Sequence, residues 1–347
     1  MRVACLTGIA RWKRKRVRAM FGGAPVRDGA AAAVALAAKR GGAVACWASR
    51  VPEGLAAQAA EAGIPVWWVE DGFVRSAGLG AGLVQPASLT LDRVCPYYDA
   101  RQVSDLEAML QGRDFDAAEL ARAAALRAKI VAAAITKYNL GGAPVDLPKG
   151  RRIVLVPGQV ERDRSVLLGG EGLTMMALLE RVRAAEPDAC ILYKPHPDVV
   201  AGLREGRVAG EKALRFADQV IPDADLIPLL DRVDAVHTLT SLTGFEALLR
   251  GREVVTHGQP FYAGWGLTRD LAPLARRTRR RSLDELVAAA LIIYPRYADP
   301  TTGRPATPEQ VVDALAARPI EKSPGRTIAA RIAAWHVRRR ERAEREQ

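Results

Sequence analysis

Cysteine is scarce. Its four residues, Cys5, Cys46, Cys95 and Cys190, lie far apart with no C-x-x-C pair. That spacing excludes a zinc ribbon or a disulfide framework and suits reduced thiols in a cytosolic protein. Long apolar runs are missing too. No stretch reaches the about 18 residues that a membrane-spanning helix needs. The basic segment from Trp12 to Arg18 lacks the apolar h-region of a signal peptide. Aromatic residues make up only 5% of the chain, and no stacking motif interleaves them with the basic residues, which argues against a nucleic-acid binder. Acidic residues are outnumbered 39 to 51, giving a net charge of +12. Spread along the chain, that charge suits an enzyme for anionic substrates at an anionic surface better than a nucleic-acid groove.

What is abundant is Ala, Leu and Val, within an apolar content of 49% over 347 residues. Such a chain accommodates two α/β domains of roughly 150 residues each. Strand-like segments Val3–Thr7, Ala43–Trp47 and Pro65–Val69 alternate with helix-like segments Gly29–Arg40 and Pro52–Ala62, implying parallel β-α-β units. Helical pattern returns over Ser104–Leu110 and Ala117–Tyr138. A Gly- and Pro-punctuated linker then runs from Gly141 to Gly150. The pattern restarts with strands Arg152–Pro157, Cys190–Lys194, Ala235–Thr238 and Glu253–Thr256, and helices Leu173–Ala185, Gly244–Arg250 and Leu283–Ile293. The expected division is 1–145, 150–323 and an Arg-rich helix or tail over 324–347.

Ligands of open α/β sheets bind beyond the carboxyl ends of strands, and five segments there carry unusual chemistry. In Trp67-Trp-Val-Glu-Asp-Gly-Phe-Val-Arg-Ser76 a strand runs into Glu70 and Asp71. Alternation along a strand points them to opposite faces unless the chain turns at Gly72. One acid is then free to act on substrate while the other ties down the turn, with Arg75 and Ser76 nearby; the alternative is a helix cap plus a surface acid. Pro157-Gly-Gln-Val-Glu-Arg-Asp-Arg-Ser165 puts Gln159 and Asp163 in one loop. Arg162 and Arg164 flank Asp163 and favour its ionised form, so it suits a nucleophile, or else a solvated mixed-charge loop. Tyr193-Lys-Pro-His-Pro-Asp198 holds His196 between prolines beside Lys194, an arrangement fit to hydrogen-bond a phosphate. Leu239-Thr-Ser-Leu-Thr-Gly-Phe-Glu246 opens a helix. Ser241, Thr243 and Gly244 there suit a phosphate and Glu246 suits ribose hydroxyls, ordinary capping being the alternative. The fifth segment runs from His257 to Asp270 and fits wrapping around a base or sugar; its Tyr262 and Trp265 are expected to pack the loop itself.

Together these strings, with Tyr294-Pro-Arg-Tyr297, resemble the KpsC-type capsule polysaccharide β-Kdo transferases in order and spacing, from about Trp12 to about Thr307. The resemblance is closer to that family's second transferase module. It implies an α/β, GT-B-like protein with two Rossmann-like domains, an interdomain cleft and a C-terminal basic helix. The implied reaction is retaining transfer of β-Kdo from CMP-Kdo to a Kdo-terminated, lipid-linked glycan, without a metal or other cofactor. Carried over residue by residue, Asp163 matches the proposed nucleophile. His196 and Ser241–Gly244 would hold the CMP phosphate and Glu246 the ribose. Glu70 and Asp71 would serve the acceptor, and Gln159, Lys194, Arg75, Ser76 and His257 join the substrate contacts. The implied partners are the CMP-sugar donor, the Kdo-containing glycolipid and capsule-assembly proteins, with no nucleic acid, in the cytoplasm or on the inner face of the inner membrane. The tail from Pro324 suits an anionic membrane surface or packing across the first domain. Other readings are a transferase for another CMP-sugar or a polyol phosphate, and a non-catalytic scaffold of capsule assembly.

Overall fold

The computed structural model describes residues 1–76, 84–137, 142–201, 204, 208 and 210–317. The tail expected over 324–347, Ala77–Gly80 of the first motif and Tyr138–Gly141 around the linker start lie outside the described residues. The chain divides into two compact units, the first from 1–76, 85–137 and 284–318 and the second mainly from 138–283.

In the first unit β1 (Val3–Thr7) is followed by a short 3-10 turn (Arg11–Lys13), α1 (Arg14–Met20) and α2 (Ala30–Arg40). Then come β2 (Ala43–Trp47), α3 (Leu55–Glu61), β3 (Val66–Asp71), β4 (Ser88–Asp92), α4 (Asp105–Gly112) and α5 (Ala117–Ala132). The strand period of two sorts this sheet's core into two layers. Cys5, Val44 and Cys46 pack with Ala33, Val34 and Ala37 of α2 and with Leu55 and Ala59 of α3. Leu6, Ala45, Trp47, Val69 and Leu89 pack with Val17 and Met20 of α1. Strands β1, β2 and β3 are parallel, as the alternation predicts, but β4 pairs antiparallel with β3, Glu70 opposite Thr90. A parallel return needs a crossover helix, and the described residues between β3 and β4 contain none.

The second unit contains β5 (Ile153–Pro157), α6 (Arg164–Gly169), α7 (Met175–Ala185), β6 (Cys190–Lys194), α8 (Pro197–Val200) and α9 (Gly210–Ala213). These are followed by β7 (Gln219–Val220), α10 (Leu226–Leu230), β8 (Ala235–Thr238), α11 (Leu242–Leu249), β9 (Glu253–Thr256) and β10 (Arg269–Asp270). All six strands are parallel in the order β10-β9-β8-β5-β6-β7. Counted from β5, this is the doubly wound Rossmann order, and its direction reverses between β5 and β8. The loops after those two strands therefore flank the position where such sheets bind ligands.

Past β10 the chain forms α12 (Leu283–Val287), which continues as a π-helical turn over Ala288–Ile293, then β11 (Pro295–Tyr297) and α13 (Pro308–Ala316). Strand β11 pairs antiparallel with β4, giving the first sheet the order β1-β2-β3-β4-β11. The expected single domain over 150–323 is therefore corrected: residues 284–318 belong to the first unit. The reason is an edge. Strand β4 offers unpaired backbone groups on its outer side, and the returning segment satisfies them.

Candidate functional site

At the switch point Gln159 does the joining. Its Oε1 accepts from Thr238 Oγ1 (3.2 Å) and the Thr240 N–H (3.0 Å), and its Nε2 donates to Thr240 Oγ1 (2.9 Å). Both ends of this buried amide are engaged within the protein, so its place is to latch the loop after β5 to the loop after β8. That second loop leads into α11. Ser241 caps the helix, its Oγ accepting from the Thr243 N–H at 3.2 Å, while the Gly244 N–H donates to the Ser241 carbonyl at 3.1 Å. The amides of Thr243 and Gly244 thus already have partners, unlike the free phosphate cradle that the sequence suggests. Gly244 has a packing reason of its own: a Cβ there would lie 2.9 Å from Tyr262 Cζ. The Tyr262 hydroxyl in turn donates to the Ser241 carbonyl. Glu246, 6% exposed, lies in the buried part of α11.

The loops after β5 and β6 approach so closely that Gly158 tolerates no side chain; a Cβ would lie 3.0 Å from the His196 nitrogen. His196 is the N-cap of α8, its Nδ1 accepting from the Asp198 N–H at 3.1 Å. An accepting Nδ1 carries no proton, so this geometry assigns the neutral tautomer with Nε2–H as a donor. Lys194 is half-buried at the end of β6, its Nζ 3.4 Å from the Pro222 carbonyl. Burial pulls its pKa down, opposed by Asp223 and Asp225.

Asp163 is the N-cap of α6. Its Oδ1 accepts from the Ser165 N–H (3.1 Å) and Oγ (2.9 Å). Its Oδ2 pairs with Arg204 at 2.9 Å, so the cation placed on it is one 41 residues away rather than only its flanking arginines.

His257, expected to contact substrate, is 2% exposed and belongs to a buried imidazole pair. Its Nε2 lies 3.2 Å from His237 Nδ1 across β8 and β9, and His237 Nε2 is 3.6 Å from Glu186 Oε1. Burial pushes both rings down to about 4, and for His257 the neighbouring His237 adds to the effect. Both are neutral at ordinary pH.

In the first unit Glu70 and Asp71 have separate surroundings. The Tyr98 hydroxyl donates to Glu70 Oε2 at 3.3 Å. Asp71 lies between Lys13 Nζ, at 3.2 and 3.3 Å, and Arg75 Nε, at 2.9 Å. Burial alone would raise the Asp71 pKa; the charges of Lys13 and Arg75 outweigh it and hold the carboxyl below its ordinary value. Lys13 also lies 3.7 Å above the Trp47 ring. Arg75 is fully buried and donates to Ser76 Oγ at 2.7 Å, and Ser76 is buried as well. From these buried positions Arg75 and Ser76 clamp the strand end, Arg75 on the protein's own carboxylate Asp71.

The model for the family described as "Capsule polysaccharide biosynthesis protein" matches residues 42–139 and 116–297, which take in Glu70, Asp163, His196 and α11. The chain belongs to the capsule polysaccharide biosynthesis family. Among curated members, it is 47% identical over 241 residues to "Capsule polysaccharide modification protein LipA" of Neisseria meningitidis, covering 69% of this chain and 34% of LipA. It is 43% identical over 264 residues to "Lipopolysaccharide-processing protein LpsZ" of Rhizobium meliloti, covering 74% of this chain and 60% of LpsZ. The chain thus spans about a third of LipA's length and less than two thirds of LpsZ's. Two solved structures share its fold, both of Thermosulfurimonas dismutans KpsC and both 33% identical. The "beta Kdo 2,4 transferase" matches with a TM-score of 0.78 over 91% of this chain and 99% of that one. The "beta Kdo 2,7 transferase" matches with 0.72 over 90% and 98%. They support the assignment of this capsule-family chain as GT-B-like, with two Rossmann-like units.

Several contacts of this capsule-family chain's site were not legible from its motifs. Thr238 and Thr240, the latter inside the fourth segment, contact Gln159, Tyr98 contacts Glu70, and Lys13 contacts Asp71. Lys13 stood in view within the basic Trp12–Arg18 segment, but nothing in the sequence joins it to residue 71. Arg204 lies outside every motif, and only the folded loops bring it to Asp163 and to Asp198, which the third segment displays without a role.

Proposed function

We propose that this chain is a glycosyltransferase that moves β-Kdo, with retention, from CMP-Kdo to a Kdo-terminated lipid-linked glycan in capsule polysaccharide synthesis. The observation that carries the reading is the match to a beta Kdo 2,4 transferase over 91% of the chain at 33% identity. The geometry of the second unit adds chemical support: a carboxylate and an Nε2–H donor stand at neighbouring strand ends of a doubly wound sheet.

Retention by double displacement runs through two inverting steps. Asp163 attacks the anomeric carbon, and the bond from that carbon to the phosphate oxygen breaks with its electrons leaving on CMP. His196 Nε2–H hydrogen-bonds the departing phosphate, and Lys194 adds positive charge. The acceptor hydroxyl then displaces Asp163, giving its proton to a base. Glu70 suits that role better than Asp71. A general base works best with a pKa near the operating pH, whereas Asp71 is held low by Lys13 and Arg75. The acceptor glycolipid implies work at the inner face of the inner membrane, together with capsule-assembly proteins. No helix among the described residues is long and apolar enough to cross a membrane.

Intact-protein mass spectrometry after incubation with CMP-Kdo tests the scheme. A Glu70→Gln variant is expected to gain the mass of one sugar and an Asp163→Ala variant to gain none. An adduct on Asp163→Ala, or none on Glu70→Gln under conditions that label the wild type, would sink this assignment of roles.

A further inference from the structure

Arg204 holds two acids of the second unit at once. One terminal nitrogen lies 2.9 Å from Asp163 Oδ2 and Nε lies 3.7 Å from Asp198 Oδ2, while its backbone N–H donates to the Asp198 carbonyl at 3.2 Å. Asp198, 5% exposed, also donates its N–H to His196 Nδ1, and its Oδ1 is buried without a hydrogen-bond partner. A single guanidinium thus joins the loop that carries Asp163 to the loop that carries His196. The side chains of Arg204 and Asp163 are 45% and 39% exposed. An ion pair that open contributes little to stability, and a ligand can reach it. Arginine's planar fork matches a carboxylate in a bidentate manner.

We propose that Arg204 receives the carboxylate that the donor sugar carries on its anomeric carbon, moving onto it from Asp163 as the glycosyl bond to Asp163 forms. The proposal rests on the function put forward above. In the first step one Asp163 oxygen bonds to the anomeric carbon as that carbon's bond to the CMP phosphate breaks, the electron pair leaving with CMP. Asp163, an anion before attack, becomes a neutral ester, and Arg204 loses its counter-charge there. The sugar's own carboxylate sits on the same carbon, one bond from the new ester, and replaces it. Asp198, on the other edge of the guanidinium, anchors Arg204 through the exchange. An aldose donor has only hydrogen at that position and offers Arg204 nothing, so Arg204 becomes the residue that selects for an anomeric carboxylate.

Calorimetric titration with CMP and with CMP-Kdo tests this, on an Asp163→Asn background that prevents turnover. Adding Arg204→Gln is expected to leave CMP affinity within about twofold and to weaken CMP-Kdo at least tenfold, with Arg204→Lys recovering part of the loss. Unchanged CMP affinity also shows that the variant is folded. If Arg204→Gln weakens both ligands equally, or neither, Arg204 does not read the carboxylate while the donor assignment stands. If the Asp163→Asn parent binds neither ligand, the donor assignment itself fails and this inference fails with it.

Discussion

His237 and His257 are two weak bases enclosed where a proton is costly. Glu186, Glu253, Arg152, Arg181 and Arg269 act on the pair, but burial dominates and lowers both from 6.5 to about 4. Between those two values the unfolded chain binds more protons than the folded one, so stability rises with pH across that window. The contribution is complete above about pH 6.5 and is lost as pH falls toward 4, on the order of 3 kcal/mol for one imidazole. Urea midpoints at pH 7, 6 and 5 are expected to fall, and to fall less steeply for His257→Gln. Equal slopes for the two proteins would show that the pair does not titrate on unfolding. His257 is visible in the sequence as a strand-end residue. What hides is its partner, 20 residues away on the adjacent strand. Asp163 shows the same limit: the sequence displays the carboxylate and its flanking arginines, but not Arg204.

Helix α11 shows how an element's start is written locally and its surroundings are not. Ser241 ahead of an apolar run announces an N-cap, and the structure has it. The glycine three residues on reads as a phosphate-binding feature, yet it makes room for Tyr262 on a distant loop. Gly244→Ala is therefore expected to destabilise the protein by about 1–3 kcal/mol through overpacking. Combined with Tyr262→Phe, which removes the nearest atom but also its bond to the Ser241 carbonyl, the two losses should be less than additive. Thermal denaturation of the two single variants and the double variant checks this; strictly additive losses would deny the contact. Parallel β-α-β units were similarly legible wherever an apolar strand met an amphipathic helix. Strands β4 and β11 were harder to read because they are antiparallel and each owes its place to a segment about 200 residues away.

At the scale of the molecule, the first unit is assembled from three stretches of chain and the second mainly from one. Two-domain alternation was readable in the sequence, but the crossing back was not, since Leu283–Ile293 follows β10 with no change of pattern. Besides β11, the return brings α13, whose Val311, Val312 and Leu315 are buried and whose Glu309 and Asp313 pair with Arg122 and Lys129 of α5. A chain ending at Leu283 should keep a cooperatively melting second unit while residues 1–137 become protease-sensitive. Limited proteolysis with mass mapping reads this directly, and equal resistance of the two units would mean that the return is dispensable.

Order of synthesis gives that return another meaning. Residues 138–283 emerge from the ribosome as an almost self-sufficient unit, whereas β4 waits for β11 while about 200 more residues are made. At about 5–20 residues per second this delay is roughly 10–40 s. Of the two units, the one begun earlier is thus completed later, and through that interval β4 presents an unsealed edge to every other nascent chain nearby.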